Sequence, residues 1–485
     1  MKRRDFIKTS MLGLSGLGLS GLGLSACGGG GMMGSIDLQP SLNTGVFTRP
    51  FFTPPEALSS ISGITGNKVF DLSMQTGKKQ FTGQGTTATM GINGQFLAPT
   101  LRMTKGETVD LNVFNALGQE TTLHWHGMRV PSNMDGGPHQ TISPNSIWKA
   151  SYPVIQRAST NWYHPHAHGS TGSQVYAGLA GMLIVDDAES LALDLPKTYG
   201  TDDFPVIVQD RDMQADGTFR YSLSHMERMQ GKKGNTILVN GVLDSVLDVQ
   251  AKEVRLRLLN GSNSRIYNFA LSGSTPFKLI ATEQGLLAAP VPLTSITMSP
   301  GERAEIVVDL TALQGSSLSL LDLNTGMQLM QLKVNQAATA VTTTPSVLST
   351  TLAPLTAAQS VKTRPFILSM GQGKVYINNK QMAMTRIDEA FTLNAIEILD
   401  IQNTSNMDHN FHIHGAYFQI LSRNGAAPKA YETGLKDTVY LPANAKVQVI
   451  IQFTDHTAAA TAPYMYHCHI LEHEDAGMMG QLTVA

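Results

Sequence analysis

Tyr464-Met-Tyr-His-Cys-His-Ile-Leu-Glu-His-Glu-Asp-Ala-Gly-Met478 is the stretch on which the reading of this chain turns. Cys468 stands between His467 and His469, with His473 and Met478 a short way downstream. A soft thiolate, two imidazoles (one from elsewhere in the chain) and a weak thioether are the ligand set of a blue-copper electron-transfer site. Read as a strand over 464–469, alternate side chains face opposite ways. Cys468 then points to one side, and His467 and His469 to the other. One extended segment could hold a copper by its thiolate and reach two more through the flanking imidazoles. A buried free thiol beside surface histidines is the alternative, and three further His-x-His pairs argue against it.

The chain holds 14 histidines. Eight form the pairs His124-Trp-His126, His164-Pro-His166, His412-Ile-His414 and His467-Cys-His469. An i, i+2 spacing puts both imidazoles of a pair on one face of a strand, and neutral imidazole suits copper. Eight imidazoles from four converging strands can hold a three-copper cluster. His409 and His473 group with Cys468 and Met478. His139, His168, His225 and His456 remain; they read as surface or hydrogen-bonding residues, with His168 close enough to a pair to support it.

A chain of 485 residues is too long for one core, and about three domains are expected. The composition is globular, 42% hydrophobic and 15% charged, and a net charge of −2 gives no reason to expect a nucleic-acid partner. Short β-prone runs separated by Gly, Asn and Pro signals fill 65–190, 198–335 and 361–485. Few long segments show helical periodicity, so the fold class is all-β, built of sandwiches or barrels. Residues 336–360, Ala/Thr/Ser/Pro-rich and uncharged, read as a linker, and 28–64, Gly-rich and then Pro-rich, as a flexible tether. A faint echo recurs once per block: Gly91-Ile-Asn-Gly94, Val239-Asn-Gly241 and Ile377-Asn-Asn379 each stand between β-prone runs. Three copies of one β-domain would explain it.

The segment 1–27 is a targeting segment, set aside from the fold. Met1–Lys8 resembles a twin-arginine export signal with Arg3 and Arg4 as the pair. The Gly/Leu/Ser run at 11–26 is too short and too glycine-rich to span a membrane stably. Leu24-Ser-Ala-Cys27 resembles a bacterial lipoprotein box, which would make Cys27 the lipidated first residue; ordinary cleavage nearby is the alternative. A periplasmic protein delivered by the twin-arginine machinery is expected, with a lipid anchor if Cys27 is modified. Once Cys27 is assigned to the signal, Cys468 has no disulfide partner. A lone exported cysteine flanked by histidines reads as a metal ligand rather than a staple.

Taken together, these motifs resemble the three-domain multicopper oxidases, and among them the bacterial periplasmic copper-efflux (cuprous) oxidases. The resemblance rests on Leu123-His-Trp-His-Gly127, Asn161-Trp-Tyr-His-Pro-His-Ala-His-Gly169, His409-Asn-Phe-His-Ile-His-Gly415 and His467–Met478. Asn93-Gly-Gln95 with Pro99–Arg102, Arg255–Asn260 and Pro300-Gly-Glu-Arg303 look like the family's domain cores, so the likeness covers 65–485. It implies three consecutive cupredoxin-like Greek-key domains and four coppers per monomeric chain. Type 1 copper would take His409, Cys468, His473 and Met478. Type 2 would take His124 and His412. One type 3 copper would take His126, His164 and His469, and the other His166, His414 and His467, with some exchange between the two sets allowed. No ligand is missing, which argues against the family's copper-free cell-division relatives.

The resemblance also implies a chemistry: a donor gives electrons singly at type 1, and O2 is reduced to water at the three-copper cluster. Asp135 and Glu474 match carboxylates that supply protons there. Met407 and Asp475 match substrate-copper residues of the cuprous oxidases, and thioethers suit Cu(I). Two departures stand out. The family's other acidic position, just upstream of Met407, is Ser405, and the long methionine-rich insert of some relatives is absent. Met226, Met229, Met382 and Met384 are sparse substitutes. A shorter lid is expected to expose the blue site and admit bulky phenols beside Cu(I). A non-catalytic exported copper-binding or envelope protein is the rival reading.

Overall fold

The computed structural model describes residues 40–340 and 342–485. The export signal with Arg3 and Arg4, Cys27, and the tether up to residue 39 lie outside the described residues. Six sheets make up the rest and pair into three sandwiches, each closed over its own apolar cluster. In the first, the sheet containing Lys68–Lys79, Thr108–Ala116 and Ile147–Pro153 packs on one containing Gly181–Asp186, Ser159–His164 and His124–His126. Two six-stranded sheets form the second sandwich and two five-stranded sheets the third. The all-β, three-sandwich expectation is what the chain adopts.

The strand patterns explain the layering. Thr108–Ala116 alternates buried and half-buried residues, so Val109, Leu111 and Val113 face the first core while Thr108, Asp110 and Asn112 face out. Glu253–Asn260 alternates just as strictly in sequence yet is buried throughout. Its charged face lies in the seam between the first two sandwiches. There Arg257 pairs with Asp203 at 2.7 Å and with Glu305 at 2.9 Å, and donates to Thr160 at 2.8 Å. Buried charges persist because each is paired and hydrogen-bonded.

The faint Asn echo is one structural device used three times. Asn93, Asn240 and Asn378 have φ of 53°, 48° and 51°, a left-handed conformation that Asn tolerates better than most residues. Each side chain clamps the strand that opens its sandwich. Asn240 accepts from Ile207 N (2.7 Å) and donates to Pro205 O (2.8 Å). Asn93 does the same with Ser73 and Asp71, and Asn378 with Ile367 and Pro365. A second trio leaves no such mark in the sequence. Asn115, Asn260 and Asn403 sit fully buried at the ends of the strands that run parallel to the clamped ones. Each bonds a backbone N–H two residues on and a carbonyl across the sandwich. Asn240→Ala should destabilise the protein by about 2–4 kcal/mol, through lost bonds plus left-handed strain. Asn240→Gly removes the bonds and keeps the φ, so it should recover only the strain. Urea midpoints check this, and equal midpoints for Ala and wild type would refute the clamp.

The tether expectation needs correction over residues 40–64. Asn43 accepts from Ile237 N and donates to Ile237 O, and Thr44 donates to Asp244. Arg49–Pro50 then adds a parallel edge strand to the second sandwich, and Ser60–Ile61 pairs with Lys68–Val69 of the first. A Pro-rich segment without helix or strand periodicity looks free in sequence; here its backbone groups are satisfied by sheet edges instead. The 336–360 linker is likewise irregular but docked. Thr344 donates to Glu253, Ser349 to Glu189, and Leu348 is buried with Leu195, Ile280 and Leu286. Among the described residues no helix is long and apolar enough to cross a membrane.

Candidate metal centre

Two antiparallel ladders set the site. In the third sandwich Tyr464–His467 pairs with His409–Ile413, bringing His412 opposite His467. In the first, His124–His126 pairs with Ser159–His164, bringing His124 opposite His164. The strand through the cysteine is shorter than the 464–469 expected: it ends at His467. Cys468 still donates its N–H to Met478 O at 3.0 Å, and a one-and-a-half-turn helix, Leu471–Asp475, then carries His473 and Glu474. The divergence survives. Cys468 Sγ faces His409 Nδ1 (3.5 Å) and His473 Nδ1 (3.7 Å). His467 Nε2 faces His166 (3.0 Å) and His414 (3.3 Å), and His469 groups with His126 and His164.

The four histidine pairs meet face to face across the first and third sandwiches. His124 stacks on His414 with ring centroids 3.9 Å apart, and His126 on His412 at 3.8 Å. His126, His164 and His469 form one buried donor group and His166, His414 and His467 another; His124 and His412 share a third group with His126. Buried imidazole nitrogens ordinarily find partners. Yet Nε2 of His124, Nε2 of His412 and both ring nitrogens of His469 have none among the described residues. The other ring nitrogen is commonly fixed from behind: His124 Nδ1 by Asp135 O at 2.8 Å, His412 Nδ1 by Asp437 O at 2.9 Å, His414 Nδ1 by Asp135 Oδ2 at 2.7 Å. Orphaned inward nitrogens with oriented outer ones are what metal-binding imidazoles require.

Electrostatics point the same way. Burial pushes His124, His126, His164, His409, His414, His467 and His469 well below the ordinary histidine value, and His166 and His473 to about 4. These imidazoles are neutral at pH 7, the state that binds metal. Burial pushes the Cys468 thiol up to about 12. Without metal, the thiol therefore keeps its proton at pH 8, and since the thiolate is the nucleophile, iodoacetamide should not label the native copper-free protein. In urea the same cysteine should label readily. Comparable labelling rates in the two states, read by mass spectrometry, would contradict this burial.

Both expected carboxylates are at the cluster. Asp135 is held by the turn of Gly136 (φ 76°), where a Cβ would lie 1.8 Å from Leu123 O. Burial raises the Asp135 carboxyl well above its usual range. Glu474 places its two oxygens 3.4 Å from His166 Nδ1 and 3.1 Å from His467 Nδ1, close but not aligned as hydrogen bonds. Burial raises it too, against the opposing pull of His166. Met478 is fully buried in the core cluster that contains Cys468. Met407 is half-buried on the turn after Asn403, where Ser405 Oγ lies 3.0 Å from the outer nitrogen of His409. Asp475 does not reach out freely. Its oxygens accept from Thr171 N and Gly172 N at 2.9 Å each.

One expectation is overturned. The blue site is not open: His473 is 0% exposed, and its outer nitrogen meets Met229 O at 2.9 Å. Met229 belongs to the short helix His225–Gln230, which begins with a Ser224/Glu227 capping box. Lys232, fully buried, ties Glu227 to Asp212. Six residues thus cover the outer edge of His473. Met226 lies on the same helix, while Met382 sits beside Gly477 and Met384 is exposed.

Asp437 was missed altogether. Its Oδ1 lies 3.0 Å from His126 Nε2, so His126 can offer only Nδ1 to the cluster, and Arg303 grips both its oxygens at 2.8 and 2.6 Å. Burial opposes its ionisation, but Arg303 and His126 outweigh that and hold the carboxyl well below the usual range. Lys436-Asp-Thr-Val439 carries no spacing that marks it. Only Arg303, in Pro300–Arg303, left any trace in the sequence.

Three β-sandwiches enclosing a buried thiol–imidazole group next to a nest of eight imidazoles define a metalloprotein of the cupredoxin class. Two multicopper oxidase profiles match residues 73–190 and 348–485. A multicopper oxidase of Staphylococcus haemolyticus is 36% identical over 434 residues, 89% of this chain and 91% of that one. The cell division protein FtsP of Escherichia coli is 34% identical over 429 residues, 85% and 89% of the two chains. Among solved structures, the laccase-like multicopper oxidase CueO of Ochrobactrum superposes with a TM-score of 0.83 at 38% identity, over 89% of this chain and 100% of that one. The laccase of Pediococcus acidilactici gives 0.85 at 31%, over 92% and 95%. The chain belongs to the multicopper oxidase family: it is a copper-carrying oxidoreductase with O2 as electron acceptor.

Proposed function

We propose that the protein oxidises a small reductant, Cu(I) foremost, at a type 1 site and serves copper tolerance in the periplasm. The observation that supports this best is the convergence of the predicted ligands into separate buried groups, with Nε2 of His124 and His412 and both ring nitrogens of His469 left without partners among the described residues. On this reading His409, Cys468, His473 and Met478 hold the type 1 copper, and His124 and His412 the type 2. His126, His164, His469 and His166, His414, His467 hold the type 3 pair, making four coppers in all. Copper bound there supplies the one-electron steps that join four donor oxidations to the reduction of O2 to water.

The chain's own residues do the rest. Cys468 is bonded through the backbone to His467 and His469, so the donor site and the O2 site are one residue apart. Asp135 and Glu474 are buried acids with raised proton affinity, touching His414, His166 and His467, and can move protons at those imidazoles. Sandwich walls exclude bulk water from the eight imidazoles. At the donor site, Met229 O occupies the outer edge of His473, the edge a phenol would otherwise approach. A small ion that thioethers can hold fits this better than a bulky ring: Met407 lies on the turn whose Ser405 meets His409, and Met226 shares the helix of Met229. Asp475 is committed to two backbone amides, and burial, with Glu474 beside it, pushes its carboxyl up to about 8, so at pH 7 it offers neither a free ligand nor a full charge.

A phenol-oxidising reading keeps one support: the Ochrobactrum relative has oxidase activity towards lignin model compounds. The FtsP relatives keep a non-catalytic role in view. Oxygen uptake by copper-loaded protein with Cu(I), Fe(II) or 2,6-dimethoxyphenol separates all three. Cu(I) should be the fastest donor. If it is the poorest, the tolerance role fails; no uptake with any donor favours the non-catalytic reading. Export through Arg3–Arg4 and lipidation at Cys27 belong to the same proposal, and the mass of the mature N-terminus tests them.

A further inference from the structure

A cavity of about 350 Å³ opens where the first sandwich, the 351–355 segment and the third sandwich meet. That is within the range of small-molecule sites, roughly 300–1,000 Å³. We infer that it binds a small organic anion with an aromatic body, a benzoate-type monocarboxylate. Lys105, Arg129 and Arg157 line it and no carboxylate does, in a chain whose net charge is −2. The comparison with another cationic cavity is telling: the one beside Arg303, Arg423 and Lys436 also contains Glu302 and Glu432, so its charge is compensated within its own walls.

Compensation around the first cavity comes from outside and is incomplete. Arg129 pairs with Asp455 at 2.5 Å, Arg157 meets Glu189 only at 3.7 Å, and Lys105 makes no ion pair among the described residues. An entering carboxylate would complete the balance. The remaining walls are mostly apolar, with Ile155, Leu352, Leu355 and Ile450 among them, and Thr351, Gln419, Gln452 and Thr454 add uncharged polar edges. Tyr417 lies under the Arg129 guanidinium, 4.8 Å from ring centre to Cζ, and with Phe418 makes part of the lining aromatic. An inorganic anion would use the cations and waste the apolar wall; a neutral arene would do the reverse. The walls are also preorganised. Gln419 holds Leu355 N and Ala353 O at 2.8 Å each, and Arg157 donates to Ser349 at 2.7 Å. A ligand therefore pays little ordering cost on entry.

The test is calorimetric titration of the copper-loaded protein with benzoate, its neutral isostere benzamide, and inorganic phosphate. It does not depend on which donor the enzyme oxidises. Benzoate should bind saturably, and at least tenfold more weakly to the Lys105→Gln/Arg157→Gln double variant. Lys105→Gln alone, at an exposed position, should weaken binding about threefold. Benzamide should bind at least tenfold more weakly than benzoate, and phosphate should not displace it. Unchanged benzoate affinity in the double variant, equal affinity for benzamide, displacement by phosphate, or no benzoate binding at all would each overturn the assignment.

Discussion

Cys468→Ser should leave a folded protein that has lost its blue absorption and its oxidase turnover together. The side chain is fully buried, with imidazole nitrogens of His409 and His473 at 3.5 and 3.7 Å. A serine hydroxyl there is a hard, scarcely ionised oxygen and cannot replace a soft thiolate. Folding should survive, since leaving one small hydroxyl poorly partnered costs about 1–3 kcal/mol. The eight paired histidines are untouched, so copper content should fall by roughly one equivalent while the rest stays bound. Visible spectra, metal analysis and an oxygen electrode check the three parts. Turnover at the wild-type rate would show that electrons do not enter through this residue.

Glu474→Gln should separate the two sites in the opposite way. Blue absorption stays, because Cys468, His409 and His473 are unchanged. Turnover falls by about 10²–10⁴, the usual worth of a positioned proton donor. The amide can keep its place near His166 and His467, at 3.4 and 3.1 Å in the native protein, but it cannot carry a proton. The pH profile gives the sharper signature. Burial raises the Glu474 carboxyl above its ordinary value, and a raised acid supplies its proton below its folded pKa and loses it as pH rises through that value. Native activity should therefore decline on the alkaline side, and the variant should lack that limb. A variant that keeps both the native rate and the native profile would exclude Glu474 from proton delivery.

The ligands were legible in the sequence because their information is local. An i, i+2 pair on a strand shares a face whatever the rest of the protein does, and Cys468 must point away from His467 and His469 in any extended backbone. The Asn echo was legible for a similar reason: a left-handed turn leaves a residue signature where it occurs. What was misread depended on remote partners. The Pro-rich 40–64 segment looked free because nothing in it shows which sheet edges receive it. The donor site looked open because its cover is one short helix of six residues, fixed by the sequence-distant contact of Met229 O with His473 and by the buried Lys232–Glu227 pair. Asp437 carried no mark because it meets His126 across 311 residues of sequence.

By itself, then, the order of residues determined the β-rich class, the three-block plan and the chemical identity of the metal donors. Each follows from short-range periodicity and side-chain type. Tertiary structure alone decided which imidazoles stack on which, which nitrogens are left without partners, how closed the donor site is, and that Asp437 joins Asp135 and Glu474 beside the cluster. Those properties arise from packing one sandwich against another, and burial and electric field at a point are sums over neighbours that lie far away along the chain.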